Sequence, residues 1–166
     1  RFFPKKDKLL VAVATRNLES VLELFRTIAA MPVSGLRMME LLFDHSIAML
    51  EQSESDNVKL IENFDSYAAH QAEPLEDIAR YHAVYRQISE TFATIVATGT
   101  KDGSIRPDIP IRDTLTTVVN AFMLFARKLA LQKNLLFVQQ DLAPEAQLAV
   151  LRDILLGHLR NPEQPD

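Results

Sequence analysis

Glycine and proline are scarce in this chain, and their placement constrains its fold more than any other feature. Four glycines and eight prolines leave four long intervals without either residue, at 5–31, 36–73, 75–98 and 111–143. Strands average about five or six residues, so intervals of this length favour helices. No Asn-Gly or Asp-Gly pair is flanked by alternating apolar residues, so no β-hairpin is predicted. The intervals therefore predict an all-α fold.

The spacing of apolar residues places the helices within these intervals. The clearest case lies at about 74–100, where spacings of three and four alternate at Ile78, Tyr81, Tyr85, Ile88, Phe92 and Ile95. Such spacing keeps apolar side chains on one face of a helix. The same reasoning predicts six helices, at about 6–30, 34–52, 58–71, 74–100, 110–133 and 144–160. Residues 161–166 are expected to form a disordered tail.

Composition excludes several classes of protein. Apolar residues make up 48% of the chain and charged residues 24%, as in an ordinary globular protein. The chain has no cysteine, which excludes a disulfide scaffold and thiolate catalysis and suits a cytoplasmic protein. Uninterrupted apolar runs fall well short of the roughly 18 residues that span a bilayer. We therefore expect no membrane partner.

The sequence contains no recognisable catalytic or metal-binding motif. No histidine follows a glutamate by three residues, and no two histidines are four apart, so di-iron and metalloprotease helix patterns are missing. A nucleophile elbow and a glycine-rich phosphate loop are missing too. We expect no catalytic residue, no bound metal and no cofactor.

Charge is unevenly distributed along the chain. The net charge is −4, which argues against a protein that coats nucleic acid with its whole surface. Residues 1–10 nevertheless carry Arg1, Lys5, Lys6 and Lys8 against Asp7 alone, a net charge of +3. These cations either form a solvated helix start or contact phosphate, because a helix N-terminus attracts anions.

One polar side chain interrupts an apolar row in the second predicted helix. His45 lies among Met38, Leu42 and Met49 at helical spacing. It is either a histidine at the edge of the core or a polar group in the wall of an apolar pocket. The same two interpretations apply to the tyrosines on apolar faces, whose hydroxyls need partners when buried: Tyr67, Tyr81 and Tyr85.

The start of the chain resembles a junction in the TetR (tetracycline-repressor-like) family of bacterial transcription regulators. In that family an aromatic residue, a lysine, an acidic residue and a leucine close the DNA-binding head and open the long fourth helix. Phe3, Lys6, Asp7 and Leu9 match these positions. Lys5 stands where the family usually has Ser or Thr, which removes the usual N-cap.

A second segment is similar to another connection in the same family. Gly103-Ser104-Ile105-Arg106-Pro107-Asp108 resembles the link between the family's seventh and eighth helices. The order and lengths of the predicted helices also match the family's ligand-binding and dimerisation domain.

The resemblance implies a domain organisation and partners. Residues 1–8 would end the DNA-binding head, and residues 9–160 would form the ligand-binding and dimerisation domain. Three helices of a helix-turn-helix head would precede Arg1. The implied protein is a repressor that binds palindromic operator DNA as a homodimer and responds to a small-molecule effector. Its phosphate contacts would come from Arg1, Lys5 and Lys6.

The resemblance also implies two sets of site residues. An apolar or aromatic effector with one or two polar groups would be surrounded by Met38, Leu42, His45, Met49, Phe64, Tyr67, Tyr81, Tyr85, Phe92 and Phe122. The dimer interface would use Phe125, Leu148, Leu151, Leu155 and His158.

Two functions of other classes stay open on the sequence alone. A helical interaction module without ligand or DNA predicts exposed apolar stripes around a solid core. A small α-helical enzyme would need a site that no sequence motif marks, and titrating groups with perturbed pKa values in a cleft would reveal it.

Overall fold

The computed structural model describes residues 4–52, 56–132 and 143–164. This part of the chain forms six helices: α1 (Pro4–Ala29), α2 (Gly35–Gln52), α3 (Asp56–Ala69), α4 (Ile78–Asp102), α5 (Ile111–Gln132) and α6 (Pro144–Leu159). It contains no strand, only an isolated backbone bridge between Ile105 and Arg160. The prediction of an all-α fold with about six helices is confirmed.

Helix α4 begins later than the apolar spacing predicts. The expected start was near Pro74, but Asp77 adopts a left-handed conformation with φ of 66°. A left-handed residue cannot continue an α-helix, so α4 begins at Ile78. Leu75 is buried in front of this turn, and its carbonyl accepts a hydrogen bond from the Ile78 amide.

Helices α1 and α4 form the most extensive pair and run in the same direction. Lys8 near the start of α1 pairs with Glu76 just before α4 at 2.8 Å. Arg26 near the end of α1 donates to Gln87, farther along α4, at 2.7 Å. The paired positions increase together, so the helices are parallel.

Two groups of buried side chains hold the helices together. The main core lies among α1, α2, α4, α5 and α6, and its fully enclosed side chains are Met39, Phe43, Ile95, Ile105, Leu115, Phe122, Leu148 and Leu159. The small core joins α1, α3 and the segment before α4 through Val11, Ala14, Phe64 and Leu75. Helix α3 thus packs mainly on the small core.

A set of hydrogen bonds that we call the loop clasp joins the end of α4 to the start of α2. Its residues are Asp102, Gly103, Ser104 and Asn161. The Asp102 carboxylate accepts from the amides of Gly35 and Ser104, both at 2.8 Å, and the Ser104 hydroxyl oxygen accepts from the amide of Leu36 at 3.0 Å. Burial alone raises the pKa of Asp102, but hydrogen bonds from Ser104 and Gly35 outweigh it and lower that pKa.

The loop clasp also includes residues beyond α6. Asn161 donates its side-chain amide to the carbonyl of Gly103 at 2.8 Å and its backbone amide to the carbonyl of Ser104 at 3.1 Å. Gln164 donates to the carbonyl of Asp102 at 3.4 Å. The expectation of a disordered tail at 161–166 is therefore corrected for residues 161–164, because these bonds fix them. Residues 165–166 lie outside the described residues.

Two glycines allow α2 and α4 to approach each other beside the clasp. A Cβ atom on Gly35 would lie 2.3 Å from the Cα atom of Gly99, closer than packed atoms approach. A Cβ atom on Gly99 would lie 2.3 Å from Cδ1 of Ile105. The close approach of α2 to α4 therefore requires glycine at position 35, and the packing of Ile105 against α4 favours glycine at position 99.

Helix α5 meets a length and composition criterion for crossing a membrane. Among the described residues, Ile111–Leu131 has a mean hydropathy of 1.2, although charged and polar residues break up its apolar runs. Core helices meet the same criterion, and α5 buries Leu115, Val118 and Phe122 in the main core. The helix is therefore only weak evidence for a membrane span.

The glycine contact makes a prediction about stability. We expect Gly35→Ala to lower the free energy of unfolding by about 1–3 kcal/mol, the usual cost of overpacking. Ser89→Ala is the control, because Ser89 is exposed on α4, away from the glycine contact, and it should change the unfolding free energy by less than about 0.5 kcal/mol. Urea unfolding followed by circular dichroism measures both. Equal stabilities of Gly35→Ala and the wild type would contradict the close approach.

Candidate functional site

The residues predicted to surround one pocket fall into two separate groups. Four of them belong to the main core or pack against it: Met38, Leu42, Phe92 and Phe122. Three others belong to the small core or pack against it: Phe64, Tyr67 and Tyr81. The side chain of Met49 lies outside the described residues. The structure therefore does not bring the predicted set together around one space.

The main-core members of this set are tightly packed. Met38, Leu42 and Phe122 are all buried, and the rings of Phe122 and Phe43 lie 4.4 Å apart between centroids. These contacts fill the interior between α2 and α5, as a solid core requires.

Two predicted pocket residues, His45 and Tyr85, face solvent and not an enclosed pocket. His45 is exposed on α2, and the Tyr85 side chain on α4 is 57% exposed. Helical spacing placed both next to apolar rows, but the neighbouring helices do not cover these positions. Neither side chain lines an enclosed space in the monomer.

Tyr67 provides a polar link between α3 and α1. Its hydroxyl donates to the carboxylate of Asp7 at 2.5 Å. Asp7 is almost completely buried. The hydrogen bond to Asp7 is the main cause of the raised pKa of Tyr67, with smaller contributions from burial and the Asp7 charge. This bond attaches the first turn of α1 to the end of α3.

A group of polar side chains lies where α3, α4 and α5 meet. We call it the Arg127 junction, and its residues are Asp65, Tyr81, Tyr85 and Arg127. The guanidinium of Arg127 donates from Nη1 to the Asp65 carboxylate at 2.6 Å. Tyr81 packs against Phe64, with ring centroids 5.1 Å apart. Burial, followed by the charges of Asp65 and Tyr85, raises the pKa of Tyr81.

Sequence reasoning found the tyrosines of this junction but missed Asp65 and Arg127. The available signal was the position of Arg127, which follows a stretch of α5 without charge from Thr114 to Ala126. Arg127 continues the side of α5 that carries Met123, so its charge lies where the helix can meet a neighbour. Asp65 carried no comparable signal, because acidic residues are common on exposed helix faces.

A groove of about 460 Å³ runs between α1 and α4, and the sequence did not predict it. Its surrounding residues are Glu19, Leu22, Glu23, Arg26, Arg80, Ala83, Val84 and Gln87. Arg80 pairs with Glu19 across the groove at 2.6 Å. The arginines and glutamates of this groove form ion pairs with one another.

The predicted dimer residues occupy several environments. Leu148 is fully buried in the main core, so it cannot reach a partner chain, and its assignment is corrected. Phe125, Leu151 and Leu155 are half-buried against the core, and His158 is exposed.

Large apolar side chains are exposed on α5 and α6 close to these positions. Leu124 on α5 is 63% exposed, and Val150 and Ile154 on α6 are 60% and 61% exposed. We call these three residues the α5–α6 apolar face. The 3.6-residue period identified the buried rows of both helices, but it did not predict that these three large apolar side chains are exposed outside those rows.

The predicted phosphate contacts fall at the start of the chain. Arg1 lies outside the described residues, as do the side chains of Lys5 and Lys6. Among the residues whose positions are described, no group of three or more histidine or acidic side chains could hold a metal ion.

Comparisons with known proteins identify no relative. No protein-family model matches the chain, and neither a curated protein nor a solved structure is significantly similar to it.

The buried Asp7 gives a second prediction. Tyr67→Phe removes the hydroxyl that donates to this carboxylate, and we expect a loss of about 1–3 kcal/mol in unfolding free energy, because a buried acceptor is left unsatisfied. Tyr85→Phe is the control, since no described group bonds its exposed hydroxyl, and it should change stability by less than about 0.5 kcal/mol. Thermal unfolding at pH 7 compares the two. Equal effects would mean that the Asp7 bond contributes nothing.

Proposed function

We propose that this chain is the ligand-binding and dimerisation domain of a TetR-like transcription regulator, a cytoplasmic repressor that acts as a homodimer on operator DNA. The α5–α6 apolar face is the observation that carries the proposal. Three large apolar side chains, each exposed over more than half of its surface, are costly to leave in water. Exposed apolar clusters commonly mark interaction surfaces.

A second copy of the chain fits this face well. Helices α5 and α6 pack side by side, so two copies related by a two-fold axis would form a four-helix arrangement. The exposed α5 residues between Asp113 and Arg127 are uncharged, and the α5 helices of two copies can therefore meet without burying like charges. Gly157 lies exposed on α6 with open space around it, which allows a partner helix to approach closely.

The regulatory mechanism would follow from linkage between two sites. An effector that favours one spacing of the two subunits changes the affinity for DNA by the same coupling free energy. The two heads would read half-sites about 34–36 Å apart. Helix α1 is the element that would join body to head, and the bond between Asp7 and Tyr67 fixes its first turn to α3.

The dimer can be tested directly. Ile154→Asp would bury an unpaired charge at the interface, and we expect this to weaken association by about 2–5 kcal/mol. Leu9→Asp is the matched control, because Leu9 is equally exposed but lies on α1. Sedimentation velocity over a range of concentrations should show a dimer for the wild type and for Leu9→Asp, and a monomer for Ile154→Asp. A monomeric wild type would overturn the proposal.

The regulator itself is tested by the codons that precede Arg1. We expect them to encode three helices with a helix-turn-helix pattern. The polypeptide that includes them should select a palindromic DNA sequence from a random pool. Lys6→Ala should then weaken binding to all sequences alike and reduce its salt dependence, as loss of a phosphate contact does. An upstream sequence of any other kind would reject this function.

A helical interaction module without a ligand is the second candidate function. The tight packing of Met38, Leu42 and Phe122 favours it, since these residues fill the space where an effector was expected. Such a module would use the same α5–α6 apolar face to bind a different protein. It predicts that the chain alone is monomeric and that no small molecule raises its melting temperature.

A further inference from the structure

We infer that the Arg127 junction is a binding site for the carboxylate of an aromatic acid. The inference rests on the proposed function, because it names the chemical class of the effector. It moves the effector's polar contacts away from His45, which faces solvent, to a cluster on α3, α4 and α5. The argument depends on the donors that this cluster leaves unused.

Arg127 presents an unused pair of donors. Its Nη1 group donates to Asp65, but no described residue accepts from its Nε or Nη2 groups. The side chain is 28% exposed, so a small molecule can reach it while the protein shields it from bulk water. Arginine presents its donors in a planar fork that matches both oxygens of a carboxylate.

Two phenol hydroxyls add further donors at the same place. Tyr81 and Tyr85 lie one turn apart on α4, and neither hydroxyl has a hydrogen-bond partner in the described part of the chain. Both hydroxyls are protonated at neutral pH, as tyrosines ordinarily are, and can therefore donate. Among the four residues of the junction, Asp65 alone is a charged acceptor. A site rich in donors favours an anion over a cation.

The surroundings of the junction favour an aromatic ligand. The Phe64 and Tyr81 rings lie 5.1 Å apart at an interplanar angle of 46°, and an additional ring can pack against such a pair.

The bond between Arg127 and Asp65 can be exchanged for a bond to the ligand. Asp65 is 45% exposed, and exposed ion pairs contribute little to stability. A ligand carboxylate can therefore replace the Asp65 carboxylate on Arg127 while Asp65 returns to water. Helix α3 then loses this tie to α5 but keeps its bond to α1 through Tyr67.

The test compares an acid with a neutral molecule of similar shape. The probes are 1-naphthoate and 1-naphthalenemethanol, titrated into the chain and followed by isothermal calorimetry and by amide chemical shifts. We expect naphthoate to bind at least about tenfold more tightly than the alcohol, because only the acid can pair with the guanidinium. The shifts should centre on residues 64–67, 81–85 and 123–127.

Variants identify the groups responsible. Arg127→Gln should weaken naphthoate binding at least about tenfold, whereas Arg112→Gln, an exposed arginine on the same helix, should leave it unchanged. Asp65→Asn should tighten binding several-fold, because it removes the competing carboxylate. Circular dichroism shows whether Arg127→Gln folds. If it does not fold, Asp65→Asn and the comparison of the acid with the alcohol still test whether a carboxylate binds at the Arg127 junction.

Equal binding of the two probes, no binding of naphthoate up to 10 mM (about the concentration of a weak fragment contact), or weaker binding by Asp65→Asn would each overturn the inference. None of these results bears on dimerisation, which sedimentation measures separately. A dimer that ignores naphthoate would reject this site alone, whereas a monomer that binds naphthoate would reject the proposed regulator and keep the site.

Discussion

The arrangement of the helices depends most on the hydrogen bonds that the Asp102 carboxylate accepts. This carboxylate accepts from the amides of Gly35 and Ser104, and Ser104 in turn accepts from Leu36. The free amides at the start of α2 are thus satisfied by side chains from the end of α4, which is how a helix start can lie inside a packed structure. The backbones of Gly35 and Gly99 lie in close contact when the start of α2 is held against the end of α4 by these hydrogen bonds. The loop clasp therefore fixes how α2 crosses α4, and with it the wall of the main core.

Periodicity predicted most of the fold because most of the fold follows from local rules. A helix buries one face, so the 3.6-residue repeat identified the rows containing Leu115, Phe122 and Leu148 as apolar. The predicted start of α4 was wrong, because Asp77 adopts a left-handed conformation. That conformation depends on the packing of the turn against the buried Leu75, which local sequence does not report. The ordered segment after α6 was missed for a related reason. Asn161 gains its partners from a loop almost 60 residues earlier, and no local pattern reports such a bond.

The candidate site was less predictable than the fold. A row of apolar residues indicates which side chains are buried. It does not indicate whether these side chains surround a cavity or fill the core. Met38 and Phe122 fill the core, whereas Tyr81 lies at the edge of the small core beside charged groups. The Arg127 junction depends on three helices meeting at one point, and its ion pair joins residues 62 positions apart. The predicted dimer interface did not include the residues of the α5–α6 apolar face, because the prediction used the apolar rows of both helices that face the core.

The loop clasp also affects the order in which the chain can fold. Helices α1 and α4 can pair, and α2 can meet Asp102, once residues up to about 106 have emerged from the ribosome. Asn161 completes the clasp and closes a much longer loop, whose entropy cost must be met before the contact forms. During synthesis, α2 is therefore at first in contact with α4 but not yet with α6. Helix α6 and the residues after it complete the structure last, when Leu148 and Leu159 close the main core.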